Sequence, residues 1–304
     1  MQAPHQQAAF EQAPLGQARV TVVIATRDRR LELLRTLDRL HRLPERPPVI
    51  VVDNASSDGT AAAVREHFPA VTLRVLPGNA GAAARNAGVA LAATPYVAFS
   101  DDDSWWDPGA LSRAAAALDA DPRLGLIAAR TLTGPARVPD PVNELMARSP
   151  LRDDGTSEVL GFLACACVVR KEAFLGVGGF SRLLFFIGEE RLLSYDLATA
   201  GWARRYLPDV VAVHEPSAIR PASPLRHRAE RRNLLLTAWL RRPAGVALAE
   251  TLRLARDAVR DRDDRAALAA AVRKLPAALR SRRRLPTEVE RKVRMLTAAQ
   301  GGAW

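Results

Sequence analysis

The sequence predicts a three-layer α/β/α domain followed by a basic, all-helical region. Two observations carry the first part. Short apolar, β-branched runs that read as buried strands alternate with helical stretches, and polar Asp/Asn/Ser/Gly clusters sit at the carboxyl ends of the runs, where open α/β sheets place ligands. A third carries the second part: from Arg220 onward there are 21 Lys+Arg against 8 Asp+Glu, leaving 23 against 25 before it. The net charge of +11 over 304 residues therefore belongs to the final stretch, and it is a statement about partners.

The elements follow in order. Residues 19–25 read as a first buried strand, followed by a polar turn at 26–30. Leu31, Leu34, Leu37, Leu40 and Leu43 then keep helical spacing up to Pro44. Residues 47–52 are a second strand, and the loop 53–60 offers several N-caps to a helix over 61–67. A third strand at 71–76, a turn at 77–81 and a small-residue helix at 82–92 lead to a fourth strand, 96–99. That strand starts at Thr94-Pro95 and runs into Asp101-Asp102-Asp103. Asp107-Pro108 supply an N-cap and a first-turn proline for a helix over 108–118. A strand at 125–129 precedes a Pro/Asp/Gly-rich loop, 131–158, expected to be irregular and to cover the site. A long strand at 160–169 and a turn at 176–180 come next. Residues 185–200 are a loop running into a helix that stops at Gly201. Residues 203–207 and 210–213 are short strands, with His214 after them. Beyond Pro224, helices are expected at 226–240, 244–260, 265–280 and 287–299, punctuated by Pro243, Pro276 and Pro286.

The composition, 48% hydrophobic and 25% charged, is that of a soluble globular chain. No apolar stretch reaches the ~18 residues of a transmembrane helix. Residues 1–18 lack the basic and apolar regions of a signal peptide and read as a disordered leader. Cys165 and Cys167, the two cysteines, would share one face of a strand, where neighbours rarely have disulfide geometry; they read as core thiols in a reducing compartment. A cytoplasmic location follows, peripheral on the inner face of a membrane if the basic region docks there. Neither a G-x-G-x-x-G fingerprint nor a P-loop is present.

Three adjacent carboxylates repel one another, so a fold that gathers them usually supplies a cation. Mg²⁺ or Mn²⁺ would take carboxylate oxygens and share phosphate oxygens with a substrate. Asp103→Asn is then expected to leave the melting temperature unchanged or raise it.

Five segments, in order, resemble the family 2 glycosyltransferases of GT-A fold: residues 20–29, 51–60, 79–88, the strand with Asp101 to Asp103, and 178–202. The resemblance covers about residues 20–217. It implies a mixed, mostly parallel sheet, a catalytic domain at 19–219 and a basic helical region at 220–304. It also implies transfer of a sugar, with inversion, from a UDP- or dTDP-sugar to a hydroxyl on a glycan, lipid-linked or small-molecule acceptor. Asp101 and Asp103 match the D-x-D pair that would hold Mg²⁺ or Mn²⁺ on the diphosphate. Asp102 lies between them, toward the donor sugar or ribose. Asp53 matches the carboxylate that reads a uracil or thymine N–H, a helix N-cap being its structural alternative. Thr26 and Arg27 match nucleotide-pocket positions. Arg85 would meet the diphosphate or form a structural salt bridge. His214 stands where relatives often complete the metal shell.

Inversion by single displacement needs a base at the acceptor hydroxyl. Glu190 occupies the position of the family's Asp in Glu-Asp, with Glu189 beside it, and is the candidate; Glu190→Gln should keep donor affinity but remove transfer. Leu192 and Asp196 depart from the family pattern, so Asp196 reads as a structural or acceptor-side residue. Trp105 and Trp106 are divided between stacking on a sugar and core packing.

Two alternatives stay open. A sugar nucleotidyltransferase would begin with a Gly-rich loop ending in Arg, where this chain has Ala25-Thr26-Arg27-Asp28-Arg29. A non-catalytic nucleotide-sugar-binding or assembly protein is the other, since Glu-Glu replaces Glu-Asp. The basic helices would meet an anionic membrane surface, pack on the catalytic domain or form a homodimer. Nucleic acid is disfavoured because no binding motif accompanies the charge.

Overall fold

The computed structural model describes residues 18–217 and 223–299; the expected leader falls, but for its last residue, outside the described residues. The strands are β1 (Val20–Thr26), β2 (Val49–Asp53), β3 (Thr72–Val75), β4 (Tyr96–Ser100), β5 (Ser104–Trp106), β6 (Leu124–Thr133), β7 (Val138–Pro139), β8 (Arg152–Asp153), β9 (Thr156–Ser157), β10 (Cys167–Arg170) and β11 (Ala203–His214). β8 and β9 form a hairpin of their own; the rest make one sheet, in the order β3-β2-β1-β4-β10-β6-β11-β5 with β7 on β6. β1, β2, β3, β4, β6 and β11 run one way, while β5, β7 and β10 run the other. This is the expected mixed, mostly parallel sheet.

The helices are α1 (Arg30–His41), α2 (Thr60–His67), α3 (Ala84–Leu91), α4 (Ala110–Ala120), α5 (Val142–Ala147), α6 (Lys171–Gly176), α7 (Glu189–Thr199), α8 (Ser223–Arg241), α9 (Ala244–Asp257), α10 (Arg262–Arg280) and α11 (Thr287–Ala299). Strand alternation sorts the core into two layers. Val22, Ile24, Tyr96 and Ala98 face Leu33, Leu37 and Leu111 of α1 and α4. Val23, Val97 and Phe99 face Val89, Phe174 and Leu193 of α3, α6 and α7. These strands are buried on both faces, which is why they read as unbroken apolar runs.

Several sequence expectations change. Residues 160–169 are not one strand: residues 164–166 form a 3₁₀ turn and only Cys167–Arg170 pairs in the sheet. A continuous apolar run does not fix its own periodicity. Cys165 and Cys167 consequently enter opposite core layers instead of sharing a face; both are free and buried. Asp107 does not cap α4. The helix begins after Gly109 at φ +80°, because residues 104–106 pair with the end of β11 and displace the start. Residues 131–158 are ordered by α5 and by Asn143, whose amide exchanges two hydrogen bonds with the backbone of Thr131, at 2.7 and 2.8 Å. Residues 203–214 form one strand with an irregularity between Leu207 and Val211. Pro276 lies inside α10, on its exposed side, where water can take over the lost hydrogen bond.

The C-terminal helices pack on the sheet domain, which is one of the three outcomes the sequence left open. Leu184 and Leu192 share a buried cluster with Leu235, Leu236 and Leu240 of α8. Arg241 grips both oxygens of Asp196, at 2.5 and 2.9 Å. Lys292 reaches Glu158 at 2.9 Å.

Candidate active site

The carboxyl ends of β1, β2 and β4 open into a cleft of about 410 Å³. Thr26, Arg27, Arg85, Asp101, Asp102, Asp103 and His214 line it, so most of the sequence-derived candidates meet in one place. Arg29, Asn54, Phe185, Phe186 and Arg226 also line it, and sequence reasoning did not single them out.

Each aspartate has a different environment. Asp101 is ion-paired to Arg85, and its backbone N–H donates to Ser104 Oγ at 2.7 Å. Asp103 accepts the Ser217 N–H at 3.0 Å, and its Oδ1 lies 3.3 Å from His214 Nε2. With Arg29 3.7 Å away, these partners outweigh burial and hold the Asp103 carboxyl below its usual range. Asp102 accepts from the Thr26 hydroxyl at 3.0 Å, but burial and its two acidic neighbours push it up to about 7. It is therefore Asp102, not Asp103, that strains the cluster, because Asp103 has partners for both oxygens.

Asp102→Asn is expected to stabilise the metal-free protein in a pH-dependent way. The folded pKa is raised, so ionising Asp102 costs the native state stability as pH climbs from about 4 through about 7. A shift of this size is on the order of 2–4 kcal/mol. Chemical denaturation should show the variant's advantage at pH 8 and little of it at pH 4; an equal difference at both would refute the strain.

Asp53 is buried at the end of β2, yet it does not cap α2, whose N-cap is Gly59. Its Oδ1 accepts the Ser56 N–H at 2.8 Å, and its Oδ2 is buried without a protein partner. Beside it, Asn54 donates to the Gly81 carbonyl at 3.1 Å and accepts the Ala80 N–H at 2.7 Å, fixing the turn at the cleft wall.

Arg85 is buried in α3 and ties the cleft to the start of α7. Its guanidinium holds Asp101 and feels Glu189 and Glu190, whose charges, with that of Asp101, raise its affinity for its proton. Glu189 is 2% exposed, with Oε2 lacking a partner. Burial and mutual repulsion push Glu189 well up, and burial raises Glu190, while Arg85 opposes both shifts. The preceding Gly178-Gly179-Phe180 turn is pinned by Asn86, which accepts from the Phe180 N–H and donates to its carbonyl, both at 2.9 Å.

Six candidates are not among the residues that line the cleft: Asp53, Glu189 and Glu190, whose settings are given above, and Trp105, Trp106 and Asp196. Trp106 is fully buried in the layer of α1 and α4, and Trp105 lies beneath the Arg39 guanidinium at 4.0 Å. Neither lines the cleft, because the short strand β5 turns them into the core and against α1. Asp196 is the structural partner of Arg241. The 131–158 segment does not cover the cleft either: Leu145, Met146 and Ser149 line a separate cavity of about 100 Å³ together with Tyr195 and Leu296.

The cleft fits a divalent cation on its donor set. Asp103 Oδ1 and His214 Nε2, a carboxylate and an imidazole, are separated by 3.3 Å; neighbouring ligands of one small divalent ion lie about 3 Å apart. Among the described residues no group of three such side chains is assembled into a full shell, since Asp101 is engaged by Arg85.

Comparison with known proteins agrees with this geometry. The family model described as glycosyl transferase family 2 matches residues 21–178, the span that supplies most of the cleft lining. An N-acetylglucosaminyl-diphospho-decaprenol L-rhamnosyltransferase of Mycobacterium tuberculosis is 27% identical over 235 residues, which are 65% of this chain and 76% of the relative. In fold, the chain is similar to a mannosyltransferase of Pyrobaculum calidifontis solved with GDP-Man and Mn²⁺. The TM-score is 0.57 at 21% identity, over 94% of this chain and 76% of that one. It is also similar to S. aureus TarS 1–349 solved with UDP-GlcNAc, with a TM-score of 0.56 at 19% identity, over 72% and 66% of the two chains. With the family match extending over just over half its length, the chain belongs to glycosyl transferase family 2 and is a glycosyltransferase of GT-A fold.

Proposed function

We propose that the chain transfers a sugar from a UDP- or dTDP-sugar to a hydroxyl of a lipid-linked acceptor, with inversion. One observation carries this reading: a buried carboxylate oxygen at Asp53 that lacks a donor lies at the end of β2, next to Asn54, which lines the same cleft as the aspartate cluster. The orphan acceptor suits a pyrimidine ring N–H; Thr26 and Arg27 flank the nucleotide. The rhamnosyltransferase relative, whose name specifies a diphospho-decaprenol acceptor, supports the lipid-linked class.

Asp103 and His214, joined by Asp101, would hold Mg²⁺ or Mn²⁺, which would neutralise charge growing on the departing diphosphate. Arg85 and Arg29 add fixed positive charge around the same aspartates. Glu190 takes the proton of the acceptor hydroxyl as its oxygen bonds to the sugar carbon and the bond to the nucleotide diphosphate breaks. A thermal-shift panel of UDP-, dTDP- and GDP-sugars with and without Mn²⁺, followed by transfer of labelled sugar to a prenyl-diphosphate glycolipid, tests the reading. Stabilisation by GDP-sugars alone would refute the pyrimidine assignment.

The basic helices support a partner of anionic lipid. No helix of the described residues is long and apolar enough to cross a membrane. Leu248, Leu252 and Val259 of the α9 segment and Val272 and Leu279 of α10 are nonetheless 46–76% exposed. Arg265 of α10 bonds the carbonyls of Ala258 and Val259, joining the two helices along this edge. Exposed Arg256 and Arg262, each 3.9 Å from an acidic neighbour, Asp257 and Asp263, add the cationic side chains that an anionic surface would meet. Truncation after Ser217 would strip the cover from Leu184 and Leu192, so the sharper variant is Leu248→Asp with Leu252→Asp. It is expected to weaken partition onto phosphatidylglycerol vesicles at least ~10-fold, since each buried Leu is worth about 1.5–3 kcal/mol. Unchanged partition would retire the membrane, and a dimer dissolved by the same pair would assign the face to a second copy.

A further inference from the structure

The segment 183–188, between the Gly178-Gly179-Phe180 turn and α7, is held from outside the family-matched region. Its backbone takes left-handed values at Phe185 (φ +69°), Ile187 (φ +70°) and Gly188 (φ +82°). A β-branched residue adopts this conformation only when its surroundings impose it. The Phe185 carbonyl accepts the Ala82 N–H at 2.6 Å, so close to the turn before α3 that a Cβ on Gly81 would clash with that oxygen. Phe185 and Phe186 line the donor cleft, and Gly188 caps the helix that opens with Glu189 and Glu190.

What imposes the conformation is Asn233 of α8, which is 1% exposed. Its Nδ2 lies 2.9, 2.8 and 2.7 Å from the carbonyls of Leu184, Phe186 and Ile187. Its Oδ1 accepts from Arg232 Nε at 2.9 Å, which fixes the amide with its nitrogen toward the loop. Arg232 Nη2 adds a second bond to the Leu184 carbonyl at 2.9 Å, and Lys274 Nζ donates to the Leu183 carbonyl at 2.7 Å. Asn233, Arg232 and Lys274, all of the C-terminal helices, are thus donors to the carbonyls of this loop.

We propose that Asn233 is a positioning residue for glycosyl transfer. By gathering three carbonyls it fixes the left-handed loop, and through it both the Phe185–Phe186 wall of the donor cleft and the start of α7 with its two glutamates. The basic helical region is thus part of the catalytic scaffold. This inference rests on the proposed reading of the cleft and of Glu190.

The test uses the full chain with Asn233→Asp, which keeps the shape but turns an acceptor oxygen toward the carbonyls, and Asn233→Ala, which removes the donor. Glu290→Gln in α11, which removes the charge that pairs with Arg242, serves as a destabilised control outside the loop. Hydrogen exchange of peptides spanning 80–84 and 183–190 is the first readout. Both Asn233 variants should lose at least ~10-fold protection there, and the control should lose none; unchanged exchange in folded Asn233→Asp overturns the clamp. The second readout is steady-state transfer: kcat should fall about 10–10²-fold while UDP affinity with Mn²⁺ stays within about 3-fold. Loosened exchange with kcat intact, or an equal kcat loss in the control, overturns the positioning role. Loosened exchange in a protein whose wild type transfers no sugar would instead fault the proposed function and leave the clamp standing.

Discussion

Asp103→Asn is expected to abolish the metal dependence of donor binding and to lower sugar transfer by at least about 10²–10³-fold, the usual cost of one preorganised electrostatic contact. The side chain faces His214 at 3.3 Å and sits on the cleft floor, so an amide there offers one neutral oxygen in place of a charged pair. The same geometry reverses the stability expected from charge repulsion alone. Asp103 is held ionised by His214, by the Ser217 N–H and by Arg29, and a carboxyl whose folded pKa is lowered adds stability that is lost only as pH falls through that value. The variant should therefore melt slightly lower than wild type at pH 7, whereas Asp102→Asn melts higher. Calorimetric titration with UDP, with and without Mn²⁺ and below either melting point, separates the two effects. Equal enhancement of UDP affinity by Mn²⁺ in both proteins would remove Asp103 from the metal site.

How much of this was legible in the sequence depends on how local each signal is. β1, β2 and β4 are buried on both faces, so composition alone marks them, and the polar clusters after them mark the cleft. His214 was legible because it closes a strand, and the departure at Asp196 flagged a partner that proved to be Arg241, 45 residues away. What escaped was set by tertiary convergence. Trp105 and Trp106 read as the approach to a helix because nothing local says that residues 104–106 pair with a strand a hundred residues later. Phe185 and Phe186 read as ordinary loop, since the left-handed backbone at Phe185 and Ile187 is imposed by contacts and not by glycine. Asn233 stands in Arg231-Arg232-Asn233-Leu234-Leu235-Leu236, and a lone amide on the apolar face of a helix was the one signal available. A polar side chain so placed must find partners, but the sequence does not say that they are three carbonyls of the 183–188 loop.

Glu190→Gln is expected to lower transfer about 10²–10⁴-fold, the range of a lost general base, with donor affinity unchanged because Glu190 is not among the residues lining the cleft proposed to hold the nucleotide. The neighbouring Glu189 makes the comparison informative. The two carboxyls interact, so they titrate as a pair, and burial raises both. A base with a raised pKa works only once it is deprotonated, so the rate should climb with pH along an acid limb belonging to the pair. Glu189 is 2% exposed and Glu190 is more open, which assigns proton abstraction to Glu190 and repulsion to Glu189. Glu189→Gln should then retain most of kcat and leave the acid limb in place, since Glu189, the more strongly raised of the two, is still neutral when Glu190 ionises, while Glu190→Gln should flatten the profile near zero. Profiles of kcat against pH for the two variants decide between the glutamates: a dead Glu189→Gln beside an active Glu190→Gln would exchange their roles, and two active variants would move the base elsewhere in the cleft.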